Sequence, residues 1–360
     1  MIGARLKLAR DAAGLSLRAL EERLQGVVTA QALSKYERDR MMPSSTVLLA
    51  LSKALKVSPD YLLSQRDIVL GGIEFRKAPS AGAREEKMIQ AQVLERLEHY
   101  LAVEEVLHLS TLRWHPPLAD TAPIHSKDDA ETASAALRRK WILGHDPISS
   151  MTELLEEHGI KVIALNLPVS VSGSKLHSRL GTDHDVPAVV INQNHTGERQ
   201  RFTLAHELGH LVLPIAMRLA AKDQEKAIDR FAGAFLVPTE ELRRAVGTSR
   251  RDVSLGELLE LKARFKVSLQ SLVMRLKQAA ILSDADMRRH WLLLKGKGFL
   301  DPPYPEPGPI PAETSHRLHR LTLRAVSEGA LSESKAAELL GISVRMLSKW
   351  LDEGAHADAA

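Results

Sequence analysis

The sequence has no cysteine. Disulfides, thiolate metal sites and a cysteine nucleophile are excluded, and any transition metal must be held by His, Asp or Glu. It also lacks a run of 18 or more apolar residues, the length that a membrane-spanning helix requires. The first fourteen residues place Arg5, Lys7, Arg10 and Asp11 among their apolar positions, unlike the unbroken apolar centre of a secretory signal. Nor is there a strong charge of one sign: the formal net charge is +4, with 44% hydrophobic and 26% charged residues. That balance belongs to a folded globular chain and not to a disordered one. A cytoplasmic protein with no membrane association is expected. A length of 360 residues suggests two or three domains.

The small positive charge is unevenly placed. Residues 1–66 hold eleven Lys and Arg against six Asp and Glu, and the remainder holds 38 against 39. A compact basic segment is an electrostatic footprint suited to nucleic acid, although a solvated helical surface carries the same charge.

No internal repeat divides the chain, so its punctuation must. Residues 1–66 contain five short helical patterns. They are Leu6, Leu8 and Ala9; Leu17, Leu20 and Leu24 behind a Ser16 N-cap; Thr29 to Glu37; Val47, Leu48, Leu51 and Leu55; and a fifth opened by Pro59. Residues 67–109 read as a strand-like linker (Ile73, Phe75, then Ala78-Pro79-Ser80-Ala81-Gly82) followed by one long amphipathic helix from 84. Residues 110–295 form a central domain. It opens with helix Asp129–Leu143 and a second helix through His158, ended by Gly159. Two β-rich runs, Lys161–Leu167 and Pro187–Asn192, flank a Ser/Gly-rich loop, Val169–Gly181. Helices at about 197–213 and 222–236 stop at Pro214 and Pro238, and helical patterns run on to about 294. Residues 296–312, rich in Pro and Gly, read as a linker, residues 313–352 as a C-terminal helical segment, and the tail 353–360 as disordered.

The sharpest chemical signal is His206-Glu207-Leu208-Gly209-His210. Two histidines four apart share one helix face, so both imidazoles can reach a single metal ion. A glutamate directly after the first can take a proton from a water at the open coordination position. Fifteen residues after His210, Glu225 and Asp229 again lie four apart on one face. A catalytic zinc site wants three protein ligands and one open position, which Glu225 completes. A metal-bound His commonly gives its other ring N–H to a carboxylate, the role left for Asp229. Two ordinary solvated carboxylates would show the same spacing. Phe202, Leu204, Ala205, Leu208, Leu211 and Val212 make the motif helix apolar elsewhere, so it is expected to be buried and its histidines to need partners.

The stretch from Asn192 and Gly197 through Arg201-Phe202-Thr203-Leu204-Ala205-His206-Glu207-Leu208-Gly209-His210-Leu211 resembles the ImmA/IrrE family of metallopeptidases. Asp229-Arg230-Phe231-Ala232, Phe235-Leu236 and Pro238 are similar to that family's downstream pattern. The resemblance implies His206, His210 and Glu225 as metal ligands and Glu207 as general base. Many members carry a second Glu two residues after the ligand Glu, where this chain has Ala227. Zinc is the expected ion, with manganese or iron compatible with the same donors. Peptide hydrolysis also needs a group to hold the developing oxyanion. His177 and Arg179, read as lying in the loop before the second β run, are the candidates.

The first 66 residues resemble the XRE, lambda repressor-like, helix-turn-helix family. Leu15-Ser16-Leu17 opens the second helix, Thr29-Ala30-Gln31-Ala32-Leu33-Ser34-Lys35-Tyr36-Glu37 forms the third, and Arg38, Arg40, Pro43, Pro59, Tyr61 and Leu62 follow in familiar spacing. The resemblance implies a third helix in the major groove, with Thr29, Gln31 and Lys35 toward base edges and Ser34, Arg38 and Arg40 toward phosphates. Leu17 stands where a Gln is usual and Glu21 where a small residue is usual. Glu37 and Arg5 are expected to pair. A homodimer on two half-sites is a further implication.

At the other end, Ser332–Leu340, Gly341-Ile342 and Ser343–Leu351 read as helix, tight turn, helix. This spacing resembles a helix-turn-helix and equally a helical hairpin packed on its neighbour. The packing or dimerising role is the one favoured from sequence.

The expected fold class is mainly α with a small α+β domain: a five-helix domain, a central zincin-like metallopeptidase domain with a small sheet, and a C-terminal helical hairpin. The expected function is a DNA-binding regulator with a zinc-dependent endopeptidase domain. Its partners would be double-stranded DNA and a protein substrate, by resemblance a helix-turn-helix repressor whose cleavage relieves repression. The alternative is a transcription factor whose zincin-like domain senses a ligand or dimerises without cutting.

Overall fold

The computed structural model describes residues 2–55, 57–64, 68–71, 83–109, 114–168, 173–180, 184–216 and 218–353. Five short helices open the chain: α1 (Ile2–Ala12), α2 (Leu17–Arg23), α3 (Ala30–Glu37), α4 (Ser45–Leu55) and α5 (Pro59–Leu63). Strand β1 (Ile68–Gly71) and the long helix α6 (Ala83–Val106) follow. Next come α7 (Lys127–Lys140), α8 (Met151–Glu157), β2 (Lys161–Leu165), β3 (Gly173–Leu180) and β4 (His184–Asn192). Helices α9 (Gly197–Val212), α10 (Ala221–Leu236), α11 (Thr239–Val246), α12 (Leu255–Phe265), α13 (Leu269–Gln278) and α14 (Asp284–Gly296) complete the middle of the chain. Helices α15 (Arg317–Ser327), α16 (Glu333–Leu340) and α17 (Val344–Glu353) end it. The mainly α architecture with a small β component matches the expected fold class. Residues Ile73, Phe75, Ala78 to Gly82 and the tail beyond Glu353 lie outside the described residues.

Local chemistry starts most of these helices. Ser16, Thr29, Ser58, Ser150 and Thr196 each accept a backbone N–H from the first turn that follows. Each satisfies a donor that the helix itself leaves unpaired. Helix α7 starts two residues before its apolar pattern because Ser126 and Asp129 form a reciprocal capping box. It ends at Lys140, and Ile142 follows in the left-handed region (φ 57°).

Contacts divide the chain into two compact units: Met1–Arg113 with Leu176–Val186 and His316–Ala360, and Trp114–Lys175 with Pro187–Ser315. In the first unit, Leu6, Leu20, Leu33, Leu51 and Leu62 are fully buried, joined by Leu94 of α6. The expected Arg5–Glu37 pair is not formed. Arg5 instead bonds both carboxylate oxygens of Glu98 on α6 and the carbonyl of Tyr61, while Arg10 pairs with Glu37 at 2.5 Å. Strand β1 pairs antiparallel with β3, Ile68 opposite Leu180 and Gly71 opposite His177. The Ser/Gly-rich stretch expected as a loop therefore contains a strand. The strand's polar-rich sequence, with Leu176 and Leu180 as the only large apolar residues, lacks the alternation that marks a half-buried strand.

In the second unit, β2 and β4 run parallel, Lys161 opposite Ala188 through Leu165 opposite Asn192. Such a parallel pair is buried on both sides, and the apolar runs Val162-Ile163 and Ala188–Ile191 reflect that. Leu204, Ala205 and Leu208 of α9 and Ala227, Ile228, Phe231 and Phe235 of α10 share one core with them.

The Pro-rich segment expected as a linker is fastened to this second unit. It has no helix or strand between Pro302 and Ser315. Glu306 and Glu198 both accept from the buried Lys262 ammonium, at 2.8 and 2.5 Å. Glu313 accepts from Arg201 at 2.5 Å and from the backbone N–H groups of Met151 and Thr152 at 3.1 and 2.9 Å. The carbonyls of Ile310 and Pro311 occupy the place that a Cβ on Gly197 would take. The strap thus lies on the first turns of α9, and only glycine at 197 admits it.

Candidate metal centre and DNA-binding surface

Helix α9 presents His206 and His210 one turn apart, and their Nε2 atoms lie 3.1 Å from each other. Glu225 reaches across from α10, one carboxylate oxygen 3.6 Å from His206 Nε2 and the other 3.4 Å from His210 Nε2. These three residues form a cluster whose possible ligand atoms all lie within 4.8 Å of one another. Four donors at about 2.0–2.1 Å from a tetrahedral ion stand about 3.4 Å apart, so the donor set and its spacing suit a zinc-class ion. Asp229, one turn beyond Glu225, places Oδ1 2.9 Å from His206 Nδ1. His206 thus turns Nδ1 toward a carboxylate and Nε2 toward the cluster, the orientation that a metal-bound imidazole held by a carboxylate takes.

Burial grades across the site. The side chain of His206 is 2% exposed and that of Asp229 51% exposed, so the imidazole is the floor and the α10 carboxylates the rim. Glu207 is buried within the same turn of α9.

The reach of Glu225 and Asp229 depends on how closely α10 approaches α9. Gly209, between Glu207 and His210, decides that approach. A Cβ there would sit 3.0 Å from Ile228 Cγ2 and 3.1 Å from Phe231 Cδ1. Sequence reasoning passed over Gly209, although a glycine inside a helix costs about 1 kcal/mol against alanine and signals a packing reason.

His177 and Arg179 belong to β3, opposite Gly71 and Val69 of β1, not to a loop. Their side chains lie outside the described residues.

In the first unit, Thr29 caps α3 by accepting from Ala32 N–H at 3.2 Å. Leu33 and Tyr36 bury one face of α3. Thr29, Gln31, Lys35, Arg38 and Arg40 are exposed and Ser34 is half-buried. Gln31 and Lys35, four apart, share the outward face. Leu17 is half-buried against the core, and Glu21, at the unusual position of α2, is half-buried.

Residues 155–277 match the family model described as the IrrE N-terminal-like domain, a metallopeptidase family, and residues 6–62 match the helix-turn-helix model. The chain carries both domains. It is also similar to the HTH-type transcriptional regulator ImmR of Bacillus subtilis (strain 168), 40% identical over 67 residues. That likeness covers 19% of this chain and 51% of the regulator, so the chain spans about half the length of the curated relative it matches. No helix among the described residues is long and apolar enough to cross a membrane.

Proposed function

We propose that this chain is a DNA-binding regulator whose IrrE-like domain is a zinc-dependent endopeptidase. The convergence of His206, His210 and Glu225 supports the reading most directly, because the three donors come from two helices and meet at tetrahedral spacing. A zinc ion held there supplies a Lewis acid and lowers the pKa of a water that it binds. The residues of the chain do the rest. Asp229 holds the His206 tautomer, and Glu207 takes the proton of the attacking water on its carboxylate and returns it to the leaving amide nitrogen. The substrate is a peptide bond in a protein, by resemblance a helix-turn-helix repressor whose cleavage relieves repression. In the first domain Gln31 suits adenine and Lys35 guanine, while Ser34, Arg38 and Arg40 suit phosphates. A homodimer on two half-sites, working in the cytoplasm where the DNA lies, completes the reading.

Native mass spectrometry of protein purified without chelator tests the centre. One zinc per chain, absent in Glu225→Ala, is expected. Glu207→Gln is expected to keep the zinc and lose cleavage of a co-expressed repressor. No metal in the parent after zinc is supplied would sink the peptidase. Metal without cleavage of any substrate would leave the transcription-factor reading, with this domain as a sensor or dimerising module.

A further inference from the structure

No repeat of domain length is present, yet one short pattern occurs twice. Thr29 and Ser343 stand at the starts of α3 and α17, their hydroxyls accepting from Ala32 and Met346 N–H, both at 3.2 Å. Two positions after each cap comes an exposed polar residue, Gln31 or Arg345. Four positions after comes a fully buried leucine, Leu33 or Leu347. Then follow half-buried Ser34 or Ser348, exposed Lys35 or Lys349, and aromatic Tyr36 or Trp350. The preceding helix in each case opens on Leu-Ser, with Ser16 or Ser332 as N-cap. Four residues on, Leu20 or Ala336 is fully buried.

The packing around α17 completes a three-helix unit. Gly341 caps α16 in the left-handed conformation (φ 68°), so α17 starts after a tight turn. Ala336, Ala337 and Leu347 form a small core with Leu323 and Val326 of α15, and Trp350 meets the ring of His319 edge-on at 4.6 Å. The opposite side of α15 and α16 is occupied: Leu321, Ala325 and Leu339 pack with Tyr100, Val103 and Leu107. The packing role expected for this hairpin therefore falls to α15 and α16. The outer face of α17 carries Arg345 and Lys349, four apart and exposed, and the exposed acid Asp352 lies in its last turn.

We propose that α17 is a second DNA-reading helix, which enters the major groove of duplex DNA as α3 does in the helix-turn-helix reading. In such units the N-terminal residues of the second helix reach base edges. Arg345 can bond guanine O6 and N7 bidentately, and Lys349 reaches guanine or phosphate. One chain would then read two DNA segments. The proposal goes beyond residues 6–62, and it rests on the DNA-binding reading only in naming duplex DNA as the partner.

Selection of duplexes from a random pool by the full chain tests it. The parent is expected to enrich two sequence blocks. Arg345→Ala/Lys349→Ala should lose one block, and Gln31→Ala/Lys35→Ala the other. Each cation removed should also reduce the slope of log K against log salt by about 0.9 where it meets phosphate. Arg345→Gln/Lys349→Gln, which removes both charges but leaves polar, helix-compatible side chains, guards against a folding defect and should lose the same block as the alanine pair at an unchanged Tm. If the α17 variants enrich the parent's blocks at the parent's salt slope while the α3 variant loses binding, the proposal is overturned and the DNA-binding reading stands. The outer face of α17 would then be a protein contact. A parent that enriches no duplex overturns both.

Discussion

His206 Nδ1 lies 2.9 Å from Asp229 Oδ1, a contact between neighbouring helices that fixes which ring nitrogen faces Glu225. Asp229→Asn keeps the volume but removes the carboxylate that, in the proposed metal centre, orients His206. Zinc affinity, measured by chelator competition, is expected to fall by roughly 10- to 100-fold. An affinity equal to the parent's would show that Asp229 does not orient His206.

Gly209→Val puts a branched side chain where Ile228 and Phe231 already stand at 3.0 and 3.1 Å. Helix propensity alone favours the change, since glycine is the poorer helix former. Overpacking opposes it at about 1–3 kcal/mol and pushes α10 outward. Urea unfolding should show a lower midpoint, and zinc should bind more weakly as Glu225 is carried away from the histidines. A variant as stable as the parent, with parental zinc affinity, would refute the close-approach argument.

Glu313→Ala strips the buried Arg201 guanidinium of its only charged partner among the described contacts, leaving it to the carbonyls of Ile148, Ser149 and Lys266. Removing one member of a buried pair costs about 3–5 kcal/mol. Arg201 sits on α9 little more than one turn before His206, so the loss should also loosen the motif helix. A double-mutant cycle with Arg201→Met is expected to be strongly non-additive under urea denaturation. Additive losses would mean that the two side chains act independently.

Burial alone would raise the pKa of Glu131. The hydrogen bonds and charge of Arg275, with Thr239 and Arg230, overcome this and hold it at about 2, against an ordinary 4.5. A carboxylate lowered in the folded state stabilises fully above its unfolded pKa and ceases to do so as pH falls through its folded one. The contribution of Glu131, about 3 kcal/mol at neutral pH, is therefore lost between about pH 4.5 and 2. Glu131→Gln should be less stable at pH 7 and should show a shallower loss of stability across that window. Parallel curves for parent and variant would exclude Glu131 as a source of the acid sensitivity.

Much of the site was legible because its signals are local. His206 and His210 share a face by helical period alone, and Ser16, Thr29, Ser332 and Ser343 cap helices as their chemistry suggests. The spacing of Glu225 and Asp229 on one helix face was visible, and the helix packing brings both carboxylates beside the histidines. Strand β3 was missed because its sequence, Gly-Ser-Lys-Leu-His-Ser-Arg-Leu, lacks the β-branched and aromatic residues that mark strands.

The sequence by itself determined where most helices begin, which faces they bury and which donors stand one turn apart, since caps and a 3.6-residue period act over a few residues. Tertiary structure decided the partners. Arg5 pairs with Glu98, 93 residues away, and not with Glu37. Glu306 and Glu313 turn an apparent linker into a strap on α9. Gly209 sets how near α10 comes to the histidines. Such pairings depend on how whole surfaces interdigitate at close-packed density, and periodicity along one helix carries no record of what will face it.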